Sequence, residues 1–122
     1  MLSYNEDRES GIVELTVDGH VSKAEFAEVA GKLEAIIAEK RKVRLLEVVK
    51  SFSGIDPTAI WDDIKFSFSH LNDFSRVAIV TDKTWIEWWA KAARPFVKGD
   101  VEIFALDDVD RARGWLVRPD AA

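Results

Sequence analysis

The sequence predicts an α/β domain: a mainly parallel sheet of about five strands built from four β-α units, with the first strand an antiparallel edge. Three observations lead there. Short β-branched runs alternate with stretches of helical period four times after an N-terminal hairpin. Helical crossovers of that length join parallel strands through right-handed connections. The 122 residues, 48% of them hydrophobic, suit a single domain with a single core, spanning 1–122.

In chain order, residues 1–4 form a short first strand and 5–11 a polar turn. Ile12–Val17 is apolar and β-branched, and Asp18-Gly19 closes it. Ser22 followed three positions later by Glu25 is a capping box, and Phe26, Val29, Ala30, Leu33 and Ile37 then recur at helical spacing until Lys40-Arg41. Val43–Val49 is a buried strand. Asp56-Pro57 opens a helix over 57–72, an N-cap followed by proline at the first position, with Ile60, Trp61, Ile64, Phe68 and Leu71 along one face. Residues 76–80 form the next strand, and Asp82 or Thr84 caps a helix that Pro95 ends. A last strand over 101–106 and a short helix over 107–116 complete the chain, with Asp107 or Asp108 as the cap.

Composition narrows the function classes. With no cysteine there are no disulfides or thiolate metal sites, and a cytoplasmic home fits best. No apolar run approaches the roughly 20 residues of a spanning helix, and the first residues have no basic or apolar region like that of a signal peptide. A net charge of -5 argues against a nucleic-acid partner and weakens attraction to anionic lipid, although a local basic patch is still compatible with it.

The order of elements and several signatures resemble the SpoIIAA-like family, related to the STAS domains of anti-sigma-factor antagonists. The carrying residues are Asp18-Gly19-His20-Val21-Ser22, Ser51-Phe52-Ser53-Gly54, Ala59-Ile60-Trp61-Asp62-Asp63 with Lys65-Phe66, and Phe74-Ser75-Arg76-Val77-Ala78-Ile79-Val80. The pattern continues through Asp82, Trp85, Arg94-Pro95-Phe96, Val101-Glu102-Ile103-Phe104 and Ala112-Arg113-Gly114-Trp115-Leu116. The resemblance implies a SpoIIAA/STAS-like fold of four β-α units, shared more distantly with CRAL-TRIO lipid-binding domains. It also implies a possible phosphosite: Ser53 matches the switch serine of the antagonists best. Here, however, the motif lacks their aspartate and the helix starts later, so a turn whose hydroxyls bond local backbone is the competing account.

The most unusual segment is 85–96, where three of the five tryptophans fall within five residues. At about 100° per residue Trp85, Trp88, Trp89, Ala92 and Phe96 share a helix face, with Glu87, Lys91 and Arg94 opposite. Three readings compete. Trp85, Trp89 and Phe96 cover the sheet as core; or the rings sit at lipid headgroup level beside Lys91 and Arg94; or they line a pocket. Trp88 strains the first reading, because it points about 60° from Trp85 on the side away from Trp89. Phe66 lies about 180° from the Trp61, Ile64 and Phe68 face, which gives the 57–72 helix surplus apolar surface too.

Catalysis finds little support. His20 lies in a turn and His70 late in a helix, with no nucleophile motif or phosphate-cradling glycine loop beside them. Asp62 and Asp63 point about 100° apart, and the run Asp107-Asp108-Val109-Asp110 lacks calcium-loop spacing. The expected function is therefore non-enzymatic, with no cofactor and no metal. The chain would bind a hydrophobic, lipid-like ligand or associate peripherally with membrane, through Trp61, Phe66, Trp85, Trp88, Trp89 and Phe96. Helices 57–72 and 85–94 would form a mobile lid over an apolar site, a sharper reading than a membrane anchor because the acidic chain offers only Lys91, Arg94 and Lys98 nearby. The alternatives are a STAS-type regulatory module with a protein partner and phosphorylated Ser53, and a homodimer joined by the aromatics.

Overall fold

Five strands align in the order β1 (Leu2–Asp7), β2 (Ile12–Val17), β4 (Val43–Val49), β6 (Phe74–Thr81) and β7 (Asp100–Phe104). The first pair is antiparallel and every later pair parallel, as expected. The structure is a computed structural model and describes residues 1–7, 9–40, 42–58, 65–66, 69–70 and 73–119. Each parallel step is made by a crossover; α1 (Lys23–Lys40) joins β2 to β4 and α2 (Thr84–Ala93) joins β6 to β7. Between β4 and β6, Pro57, Thr58, Lys65, Phe66 and Ser69 are helical, whereas Ile60, Trp61, Ile64, Phe68 and Leu71 lie outside the described residues.

Alternation along the strands sorts the side chains into two layers. On one face Val13, Leu15, Val43 and Leu45 meet Val29, Leu33, Ile36 and Ile37 of α1. On the other, Ile12, Leu46, Val48, Ala78 and Val80 meet Ala112 and Leu116 of α3 (Val109–Leu116). Both faces of the central strands are thus covered, which is why β4 and β6 read as nearly continuous apolar runs.

The capping box forms as predicted. The Glu25 N–H donates to Ser22 Oγ (3.1 Å), and the Ser22 N–H donates to the Glu25 carboxylate (3.1 Å). The Leu2 N–H donates to the same carboxylate (2.8 Å), tying the start of α1 to β1. These N–H groups, Leu2 first, hold the Glu25 carboxyl below its usual range.

Several boundaries depart from expectation, each for a tertiary reason. β1 runs to Asp7, not Tyr4, because its whole length pairs with β2 from Leu2↔Val17 to Asp7↔Ile12. Ser3, Asn5 and Asp7 are the outward half of an edge strand. A second, two-stranded parallel sheet joins β3 (His20–Val21) to β5 (Gly54–Ile55), a pairing too short to leave a sequence pattern. Neither Asp82 nor Thr84 caps α2: the N-cap is Lys83, without a side-chain cap, and the Asp82 carboxylate accepts the Leu106 N–H instead (3.1 Å). β7 ends at Phe104, and a 3-10 turn over Leu106–Asp108 precedes α3; Asp107 and Asp108 give no side-chain cap there.

The C-terminal end of α3 is anchored from the sheet. Arg44 and Arg76 are paired across β4 and β6 and point to the same face. Both donate to the Arg118 carbonyl (2.7 and 2.6 Å), and Arg76 also donates to those of Trp115 (3.0 Å) and Pro119 (3.1 Å). The cationic donors gather the carbonyls at and just beyond the end of α3 and complement its negative dipole end.

Candidate functional site

The β6–α2 turn sets the site. Thr81 Oγ1 accepts the Lys83 N–H (3.1 Å) and Asp82 is tied to Leu106, so α2 leaves the sheet in one direction. Its inward residues are Ile86 and Ala90, one turn apart. Ile86 packs against Val17, Val21 and Val49 with Phe52 and Ile55 alongside, and Ala90 is buried against the sheet. Small and medium side chains at these contacts let the helix lie close to β6 and β7, its sheet partners.

That orientation reverses the core reading. The tryptophans do share a face with Phe96, but that face looks into solvent: Trp85 is 51% exposed, Trp88 65%, Trp89 63% and Phe96 73%. Relative to the Ile86–Ala90 direction, Trp88 points about 180° away, while Trp85 and Trp89 flank it at about 120° and 80°. Of the three readings, the one in which Trp85, Trp89 and Phe96 cover the sheet as core does not hold. The rings brace one another and the neighbouring loop. Trp88 and Trp89 meet edge to face at 5.9 Å, and Trp85 tilts against Phe52 at 5.5 Å. With about 200 Å² per ring, the exposed aromatic surface is on the order of 500 Å². That lies towards the upper end of what a monomer's largest apolar patch usually reaches.

Of the two helices expected to form a lid, most of 57–72 lies outside the described residues, and in α2 the rings face outward. Two hollows on the described surface lie elsewhere. One sits between the β1–β2 turn and the end of α1, beside Glu6, Ile12 and Lys40; the other is a groove of about 340 Å³ along Phe26, Ala30, Phe66 and His70.

The other predicted site residues separate from the platform. Trp61 lies outside the described residues. Phe66, expected as surplus on a polar face, is half-buried against the α1 core, edge to face with Phe26 at 6.3 Å. Ser53 is exposed in the β4–β5 loop, its N–H donating to the Gly19 carbonyl (3.0 Å). It precedes β5 and does not open a helix. Phe52, Ile86 and Lys83 were missed as site residues. Phe52 carried a readable signal, an aromatic in the loop that follows a parallel strand, where partners commonly meet.

Charge is distributed unevenly. Between residues 83 and 98 stand four cations, Lys83, Lys91, Arg94 and Lys98, against one acid, Glu87, a local balance of +3 in a chain of net -5. All four cations are exposed, and Lys91 pairs with Glu87 at 3.0 Å. Both histidines are held by carboxylates. His20 Nε2 lies 2.7 Å from Asp56, and His70 Nδ1 lies 2.7 Å from Asp73 while its ring packs on Phe66 at 4.5 Å. The Asp56 carboxyl is lowered from its ordinary value, first by the Lys23 N–H and then by His20. His70 is thus partnered by Asp73 and Phe66 as well as placed near a helix end. Among the described residues no cluster of three metal-ligating side chains occurs, and no helix is long and apolar enough to cross a membrane.

Comparison with known proteins agrees with this architecture. A crystal structure of an uncharacterised DUF3478-family protein with a SpoIIAA-like fold, from Shewanella loihica PV-4, superimposes with a TM-score of 0.78. That protein is 23% identical, over 95% of this chain and 92% of the other. No match was found among curated proteins. The family model described as SpoIIAA-like matches residues 12–117, from the first residue of β2 to just past the end of α3. The chain belongs to the SpoIIAA-like family.

Proposed function

We propose that this protein is a non-enzymatic binding module that associates peripherally with a lipid bilayer through the α2 platform. The fold supports a binding or regulatory module in general terms. The observation that carries the finer reading is the outward stripe of Trp85, Trp88, Trp89 and Phe96, each more than half exposed. An exposed indole combines a large apolar body with an N–H donor, and so suits the boundary between acyl chains and headgroups. The rings stand on a helix already packed through Ile86 and Ala90, so insertion needs no opening of the core. A lipid-like ligand lying across the open stripe would use the same contacts.

The test is co-sedimentation of the protein with phospholipid vesicles, read together with tryptophan emission. Insertion moves the emission to shorter wavelength and carries the protein into the pellet. An unchanged spectrum with vesicles, fatty acids and apolar dyes alike would sink the proposal.

A second reading rests on the exposed β4–β5 loop. There Ser53 presents its side chain to solvent, and Phe52 connects the loop to Trp85. A regulatory protein partner would dock on this edge, with Ser53 as its phosphorylated residue. Mass spectrometry of protein from its native cells decides it: absent phosphate, together with an unaltered partner set for Ser53→Ala, counts against this reading.

A further inference from the structure

The platform carries a charge opposite to that of the molecule around it, and this bears on which bilayer it meets. We propose that α2 and the turn after it select anionic phospholipid surfaces, with Lys83, Lys91, Arg94 and Lys98 as the headgroup contacts; the inference rests on the membrane reading above. Four exposed cations bracket the exposed rings in sequence, with Lys91 about 60° from Trp88 on α2, while the rest of the chain carries a balance of -8, the net -5 less the local +3. Lysine and arginine stems reach past a layer of inserted rings toward phosphate, so rings and cations can act together.

Magnitudes decide whether the acidic remainder cancels this. A folded chain of this length has a radius of gyration of about 14 Å. Screening at physiological salt acts over about 8 Å, so acids on the far side of the molecule contribute little at a bilayer touching α2. The acids that do count are Glu87, neutralised in part by Lys91 at 3.0 Å, and Asp82 beside the start of α2; Asp100 and Glu102 stand in register with Arg76 and Ala78, on the sheet face that α3 covers. Each cation near an anionic surface is worth roughly a five-fold gain in affinity. Four cations less Glu87 and Asp82 leave a local excess of two, which predicts a preference on the order of ten- to thirty-fold for anionic over neutral vesicles. The distant acids repel the same surface weakly and favour the orientation with α2 facing it.

The experiment compares the full chain on vesicles of phosphatidylcholine alone and of phosphatidylcholine mixed with phosphatidylglycerol, at about 0.05 M and about 0.5 M salt. The expected result is at least about ten-fold tighter binding to the mixed vesicles at low salt, collapsing at high salt. The combined variant Lys83→Gln, Arg94→Gln, Lys98→Gln should lose that preference and keep the binding to phosphatidylcholine. Glu87→Gln should increase the preference. Equal binding to both vesicles overturns the charge selection and leaves the aromatic membrane reading standing. No binding to either overturns both. Self-association in light scattering that buries the rings without lipid also overturns both, making the stripe an interface between copies.

Discussion

Replacing Trp88 with alanine separates a surface that binds from a surface that merely folds. Trp88 is 65% exposed and touches Trp89 edge to face at 5.9 Å. Its loss from the free protein removes part of one aromatic contact, worth at most about 1 kcal/mol at an exposed site, while alanine returns about 0.5 kcal/mol of helix propensity. Stability should change by less than about 1 kcal/mol, a shift of no more than about 5 °C in Tm. On a bilayer the balance differs. About 130 Å² of exposed ring, at about 25 cal/mol per Å², contributes roughly 3 kcal/mol on insertion. Trp88→Ala should therefore weaken vesicle binding by up to about 100-fold. Ile86→Ala is the contrast: Ile86 packs against Val17, Val21 and Val49, and its truncation should cost about 2 kcal/mol of stability. Vesicle titration and thermal melting of both variants provide the assay. If Trp88→Ala melts far lower while binding vesicles normally, the ring is part of the core and the argument from exposure fails.

Gly99→Ala should destabilise the protein by about 1–3 kcal/mol in urea denaturation, because an added Cβ would meet the Phe74 and Ser75 carbonyl oxygens at 2.3 and 2.7 Å. Arg76→Lys should lose about 3 kcal/mol in the same measurement, since a single ammonium cannot reproduce the fork that binds the Trp115, Arg118 and Pro119 carbonyls. Ser22→Ala should cost about 1 kcal/mol through loss of the α1 cap. Acid should weaken the fold at the same place. The Glu25 and Asp56 carboxyls are both lowered in the folded protein, so their contribution is complete above the unfolded carboxylate pKa and fades as pH falls through the lower folded values. Urea midpoints between about pH 6 and pH 3 should fall, and Glu25→Gln should flatten that dependence.

Features set by neighbours in sequence were legible. Ser22 and Glu25 lie three residues apart, and their reciprocal hydrogen bonds needed no distant partner. Val43–Val49 and Ile12–Val17 declared themselves because strands covered on both faces are apolar at most positions, broken only by Arg44 and Glu47 in one and Glu14 and Thr16 in the other. Less legible were features whose partners lie far along the chain. Asp82 has the chemistry of a cap but bonds Leu106, twenty-four residues on. Residues 5–7 look like a turn until β2 is placed beside them. Phe66 looked surplus on a helical wheel, yet α1 supplies Phe26 and a core for it to meet.

By itself the sequence determined the alternation of strands and helices, hence the parallel sheet, and it concentrated the aromatics on one face of α2. Period and residue type carry that information locally. Which way that face looks was decided only by the tertiary structure. A helical wheel ranks faces by hydrophobicity and would turn Trp85 and Trp89 inward, but close approach to β6 and β7 favours the smaller contacts of Ile86 and Ala90. The helix settles on its less bulky side, and the tryptophans remain outside, where a partner can reach them.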